Sequence, residues 1–241
     1  MLSRDVALSM QTAIQRDVDV VTHNIANLQT GGFKTKLMVF NEAPVKKSAA
    51  QDYSFVQDLA TIRDNTLGSF KNTGDQYHAY IEGEGYFAVQ TPNGIRYTRN
   101  GAFVRDANNQ ITTVEGYPVM DAGNGPIVIP DDVFQISLGH DGTYSDGVND
   151  LGQLAIFTFA DDSALKEEAG TLFNTDQAPI QNTDAKILQR GFEASNVNSV
   201  AETTKLMSLL RSFQQVQNYL EQHSKLESAM NQQLIKIAPA A

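Results

Sequence analysis

The sequence predicts an α+β protein: long N- and C-terminal helices pairing as a coiled coil, with a central antiparallel all-β domain between them. Three observations predict it. First, glycine and proline, which punctuate turns and disfavour helix interiors, are missing from both ends. The first glycine is Gly31 and the last Gly191, 11 of the 17 fall from Gly83 to Gly152, and no proline occurs from Met1 to Ala43 or from Ile180 to Ala238. Second, apolar residues at both ends recur at helical spacing. Third, the middle is a series of short apolar runs separated by glycine turns.

In the first helix Met10, Ile14, Val18, Val21, Ile25 and Leu28 step by 4, 4, 3, 4 and 3, which draws one stripe along a helix. At the other end Leu206, Phe213, Leu220, Glu227 and Leu234 are seven apart. So are Leu209, Val216, His223, Met230 and Ile237, three residues on. Eight of these ten positions are apolar, the mark of a coiled-coil seam. Lone helices are marginal in water, so the two ends are expected to pack on each other. The resulting organisation is a terminal helical assembly domain of residues 1–30 plus 191–241, an extended linker region over 31–75 and a β domain over 76–190.

Within the β domain, Tyr86–Gln90 and Ile95–Arg99 flank Pro92-Asn93-Gly94, a hairpin signal. Ile111–Val114, Pro126–Pro130, Val133–Leu138, a short strand at Tyr144 and Leu154–Phe159 follow. This spacing points to an antiparallel sheet domain or barrel. Residues 160–190 read as an irregular return path.

Composition narrows the chemistry. The 241 residues carry a net charge of −10 and no cysteine, so thiolate chemistry and disulfides are excluded. Residues 1–50 hold six basic and four acidic side chains, 51–184 hold six and twenty, and 185–241 hold six and four. An acidic chain with no Lys/Arg cluster predicts no nucleic-acid partner. No apolar run is long enough to span a bilayer, so no membrane insertion is expected. Arg4, Asp5, Gln11, Arg16, Asp17 and Asp19 interrupt any signal-peptide core, so export without a cleavable signal is expected.

His23, His78, His140 and His223 stand at no metal-ligand spacing. Asp161-Asp162 and Glu167-Glu168 are sequence neighbours, whereas hydrolytic carboxylates face each other across a substrate. Asp141–Gly147 fits a calcium loop poorly, and Gly83-Glu84-Gly85 lacks the third glycine of a dinucleotide loop. No catalytic residue, metal or cofactor is expected. The chain reads as a structural protein, against the alternatives of a secreted coiled-coil adhesin and a β-domain carbohydrate enzyme.

Asn24-Ile25-Ala26-Asn27-Leu28-Gln29-Thr30-Gly31-Gly32-Phe33-Lys34 resembles the N-N-x-A-N-x-x-T-x-G-F-K signature of the bacterial flagellar rod and hook proteins, with His23 in place of the first Asn. Gly191-Phe192-Glu193-Ala194-Ser195-Asn196-Val197-Asn198 is similar to their L-E-x-S-N-V-D motif. Leu210-Arg211-Ser212-Phe213-Gln214 stands where they read Q-R-x-Y-E. Between these, Gly85–Val89, Tyr97-Thr98-Arg99-Asn100-Gly101-Ala102-Phe103 and Glu115–Val119 also match in order.

The resemblance covers nearly the whole chain. Length, and the stretch from Phe55 to Gly83, look most like the proximal members of the rod, with the distal members the alternative. The resemblance implies a subunit of the basal-body drive shaft in the periplasm, exported by the flagellar type III apparatus, whose partners are other rod subunits and copies of itself. The assembly residues it and the seam single out are Asn24, Ala26, Asn27, Thr30, Gly32, Phe33 and Lys34, then Gly191, Ser195, Asn196 and Val197. The seam adds Leu206, Leu209, Phe213, Val216, Leu220, Met230, Leu234 and Ile237.

Overall fold

A computed structural model describes residues 2–46, 52–123 and 125–237. Helix α1 (Leu2–Ala26) leads into β1 (Lys36–Lys46) and β2 (Asp52–Arg63). Short strands follow: β3 (Phe70–Asn72), β4 (Ala79–Glu82), β5 (Tyr86–Thr91), β6 (Gly94–Thr98), β7 (Val104–Arg105), β8 (Ile111–Thr112), β9 (Ser137–Leu138), β10 (Thr143–Ser145), β11 (Asp150–Gln153) and β12 (Ile156–Thr158). A 3₁₀ turn at Asp162–Ala164 precedes β13 (Lys166–Ala169), β14 (Leu172–Asn174), β15 (Ile180–Gln181), β16 (Lys186–Gln189) and β17 (Gly191–Glu193). Helix α2 (Ser199–Ile237) ends the described chain. The mixed class expected from sequence is present: two terminal helices and a central region rich in antiparallel sheet.

The chain divides into two compact units, Met1–Ala26 with Lys36–Ile62 and Asn198–Ala241, and Asn27–Thr35 with Arg63–Val197. In the first, α1 and α2 pack through Ala7, Ile14 and Val18 against Leu209, Phe213, Val216 and Leu220. The sequence stripe at Ile14 and Val21 is buried, whereas Met10 is exposed. Helix α2 is capped by Asn198, whose Oδ1 accepts hydrogen bonds from the Val200 and Ala201 amides, satisfying donors that the helix itself cannot. The region expected to be extended carries β1 and β2, which pair as a two-stranded sheet.

The second unit is built on a six-stranded sheet in the order β13-β14-β6-β5-β12-β15, every pairing antiparallel. Side chains alternate across a strand, and β5 is buried on both faces. Phe87 and Val89 join the main core with Phe103, Ile111, Val119, Ile129, Tyr144 and Ile187. Tyr86 and Ala88 join a second cluster with Tyr97, Leu165 and Phe173. The β5–β6 hairpin turns at Pro92-Asn93, with Thr91 paired to Gly94. Proline cannot take positive φ, and Gly94 takes it instead at φ +103°.

Residues 160–190 differ from expectation: β13 and β14 extend one end of this sheet and β15 the other. Strand β13 reads Lys166-Glu167-Glu168-Ala169, and a charged edge strand has no apolar alternation to betray it. The predicted strand at Pro126–Pro130 shrinks to isolated bridges, because prolines cannot donate to a ladder, and the one at Val133–Leu138 shrinks to β9.

Candidate functional site

The motif segments, far apart in sequence, meet inside the second unit. The turn after α1 is closed by Thr30, whose amide bonds the Asn27 carbonyl and whose hydroxyl bonds Asn27 Oδ1. Gly32 then takes φ +69° and donates its amide to the Glu193 carbonyl at 2.7 Å. A Cβ on Gly32 would lie 2.5 Å from the Arg99 carbonyl carbon and the Asn100 nitrogen, so only glycine lets this backbone pass. Phe33 is buried beside it.

Lys34 Nζ bonds the Thr66 carbonyl at 2.7 Å and pairs with Glu193 Oε1 at 2.5 Å. The same Glu193 oxygen accepts the Gly68 amide, and Arg99 Nε approaches the other oxygen at 3.6 Å. Arg99 also donates to the Gly83 carbonyl and lies over the Tyr86 ring. Burial pushes the Lys34 ammonium below the usual lysine range, and the adjacent Glu193 carboxylate opposes that push. Two cations thus share one carboxylate in a site closed to water.

Asn196 completes the junction. Its Oδ1 accepts from both the amide and the hydroxyl of Thr35, at 2.7 and 2.8 Å, while its Nδ2 reaches the Asp64 and Thr66 carbonyls. Ser195 Oγ accepts the Val197 amide, bending the chain ahead of α2. Gly191 lies in β17, where a Cβ would meet the Lys71 carbonyl and the Phe70 ring at 2.5 Å. The segment 191–197, grouped by sequence with the C-terminal helix, is therefore strand and loop of the second unit.

In the first unit, Asn24 is buried and clamps β1 to α1: its Oδ1 accepts the Lys36 amide and its Nδ2 donates to the Lys36 carbonyl. Nδ2 also reaches Glu202 on α2 at 3.3 Å. One heptad back, Asp17 pairs with Lys205 at 2.8 Å. Ala26 is the exposed last residue of α1. Of the seam, Leu209, Phe213, Val216 and Leu220 pack against α1, and Leu206 is half-buried. Met230 is 63 % exposed, and the side chains of Leu234 and Ile237 lie outside the described residues.

Sequence reasoning did not single out Glu193, Arg99, Asp17, Glu202 or Lys205. Asp17 and Asn24 flank Val21 on the apolar stripe of α1, and polar residues at such positions were the available signal. Among the described residues, no group of three or more metal-ligating side chains is assembled, and no helix is long and apolar enough to cross a membrane.

Residues 80–145 match the flagellar hook protein FlgE/F/G D1 domain, and residues 188–233 match the flagellar basal body rod FlgEFG protein C-terminal region. The flagellar basal-body rod protein FlgF of Caulobacter vibrioides is 34 % identical over 238 residues, 96 % of this chain and 97 % of that one. The chain belongs to the flagellar basal-body rod protein family. Within that family the FlgF of Mesorhizobium japonicum is 31 % identical over 87 % of this chain and 88 % of its own. The FlgG of Bacillus subtilis is 30 % identical over 83 % of this chain and 86 % of its own. In this rod-family member both matched regions border the Glu193 junction: the first contains Arg99 and Gly83, the second Glu193 and Asn196.

Proposed function

We propose that the chain is a structural, FlgF-type subunit of the proximal flagellar rod, assembling with copies of itself and with other rod proteins into the shaft that carries motor torque. The observation that supports this best is the junction itself. Three motif segments, around Lys34, Arg99 and Glu193, are spent on buried bonds to one another rather than on an open cleft with free reactive groups. That is the chemistry of a rigid part, and the relatives are named as rod proteins. The helix pair supplies the second ingredient. Its apolar seam continues along α2 to Met230, beyond Leu220, and a coiled coil shared between subunits would cover it. Assembly by two different surfaces propagates instead of closing. The same reading includes delivery through the flagellar type III apparatus to the periplasmic segment of the basal body.

FlgG relatives at similar identity make the distal rod the second reading. Purified basal bodies, fractionated along the rod and probed with an antibody to this chain, test both. Signal at the proximal segment is expected. Signal confined to the distal segment transfers the assignment to the FlgG type, and absence from the rod overturns both.

A further inference from the structure

We propose that the methionines of the terminal helices, Met10, Met207 and Met230, are a modification site at which a hydroperoxide bars the chain from assembly; this rests on the reading of the protein as a self-assembling rod subunit. The chain has no cysteine, so its six methionines carry all of its sulfur. Their exposure is sharply divided. Met10 on α1 and Met207 and Met230 on α2 are 44 %, 61 % and 63 % exposed, whereas Met120 of the β unit is 6 % exposed and clusters with Tyr97, Leu165 and Phe173. Met38 in β1 is half-buried, and its sulfur accepts the Thr61 hydroxyl at 3.7 Å. Met1 lies outside the described residues.

Each exposed thioether has an apolar neighbour one helical turn away: Ile14 for Met10, Leu210 for Met207 and Leu226 for Met230. Leu210 and Leu226 are exposed as well, and none of the three methionines belongs to the buried cluster that joins α1 to α2. What they offer is contact area to a neighbouring subunit. Flexible, unbranched thioethers adapt to unlike surfaces, which suits a chain that meets both its own copies and other rod proteins. A sulfur open to solvent also reacts with hydrogen peroxide. Its lone pair attacks one peroxide oxygen, and the S–O bond forms as the O–O bond breaks. The departing hydroxide takes the proton left on the transferred oxygen and leaves as water; sulfur is oxidised and the peroxide reduced. The product is a sulfoxide, a polar acceptor in place of an apolar side chain. In the free chain that oxygen is hydrated, and the fold is undisturbed. Pressed into an apolar contact without a donor, it is costly. Oxidation therefore acts on assembly alone, and a finished rod, which covers the sulfurs, resists it.

The purified full chain is first treated with hydrogen peroxide and mapped by mass spectrometry. Sulfoxide is expected at Met10, Met207 and Met230 while Met120 is still reduced, with the thermal midpoint unchanged. Cells then express the parent chain together with a differently tagged chain carrying Met10→Leu, Met207→Leu and Met230→Leu, and basal bodies are isolated after growth with and without peroxide. The ratio without peroxide is the baseline, so any effect of the leucines on assembly itself cancels. With peroxide, the ratio of substituted to parent chain in new rods should rise by about tenfold. Basal bodies exposed only after isolation should stay reduced at the three positions. Three results overturn the modification site: Met120 oxidised as fast as the helix methionines, a ratio that peroxide does not move, or rod-bound chain oxidised as fast as free chain. If both chains are in the rod and one of these is obtained, the rod assignment stands and the modification site alone falls. If neither chain is in the rod, the rod reading falls and takes the proposal with it.

Discussion

Lys34 and Glu193 are separated by 159 residues, yet Nζ and Oε1 meet at 2.5 Å with side chains only 4 % and 1 % exposed. Glu193 is paired with both Lys34 and Arg99, so the partners are not equivalent. Glu193→Gln leaves two buried cations facing each other and should cost about 3–5 kcal/mol. Lys34→Met leaves a matched Arg99–Glu193 pair and should cost clearly less. Urea unfolding of the two variants checks this; equal losses would show that charge balance is not what the junction depends on.

Gly32→Ala and Gly74→Ala separate crowding from backbone strain. Both glycines have positive φ, +69° and +78°, but a Cβ at Gly74 meets nothing within 4 Å. Gly74→Ala should lose about 1–2 kcal/mol. Gly32→Ala must also move the Arg99–Asn100 peptide and should lose about 4 kcal/mol or more, enough to show as aggregation or proteolysis of the expressed chain. Thermal melts of the two proteins side by side measure the difference.

The β5–β6 hairpin was legible because Pro92-Asn93-Gly94 fixes a turn whatever surrounds it, whereas α1 ends at Ala26, ahead of Gly31 and Gly32, because the Asn27–Thr30 turn already closes it and Leu28 falls outside the helix. Helix pairing could be read from Ile14, Val216 and their neighbours, since an apolar stripe must be covered. Strand β13 could not be read, because its pairing with β14 is set by register and its side chains are those of a solvated loop. Nor could the Lys34–Glu193 pair. Charged residues are exposed by default, and nothing local marks those that are buried by a partner more than a hundred residues away.

Truncation after Glu221 probes the seam. It keeps Leu209, Phe213, Val216 and Leu220, the α2 side of the buried cluster, and removes Met230, which the single chain leaves in water. The isolated protein should therefore melt within about 0.5 kcal/mol of the parent, as surface changes do. Incorporation into the rod, and with it swimming, should be lost. A truncated chain that restores normal motility in a deletion strain would show that the distal half of α2 is dispensable.

Acid should weaken the β unit through its turns. Asp141 is held below the usual carboxylate range by the Thr143 amide, Asp146 by the Asn149 amide and Asp161 by the Ser163 hydroxyl. With folded values below the unfolded ones, the unfolded chain binds more protons as pH falls. Their contribution is complete above about pH 5, well over the unfolded value, and is lost as pH falls through the depressed folded values. Denaturant midpoints measured from pH 7 to pH 2 should be flat down to about pH 5 and then decline. Asp146→Asn should shorten that decline.

The clasp of Lys34 and Asn196 on Glu193, Thr35 and Thr66 joins two points where the chain leaves the β unit, after Thr35 and after Val197. A pull applied along the backbone at residue 35 and residue 196 is met first by this clasp, in parallel with the 160 or so residues between. The sheet behind it is mechanically shunted. Tension between these two points reaches a few buried bonds before it reaches the strands of the β unit.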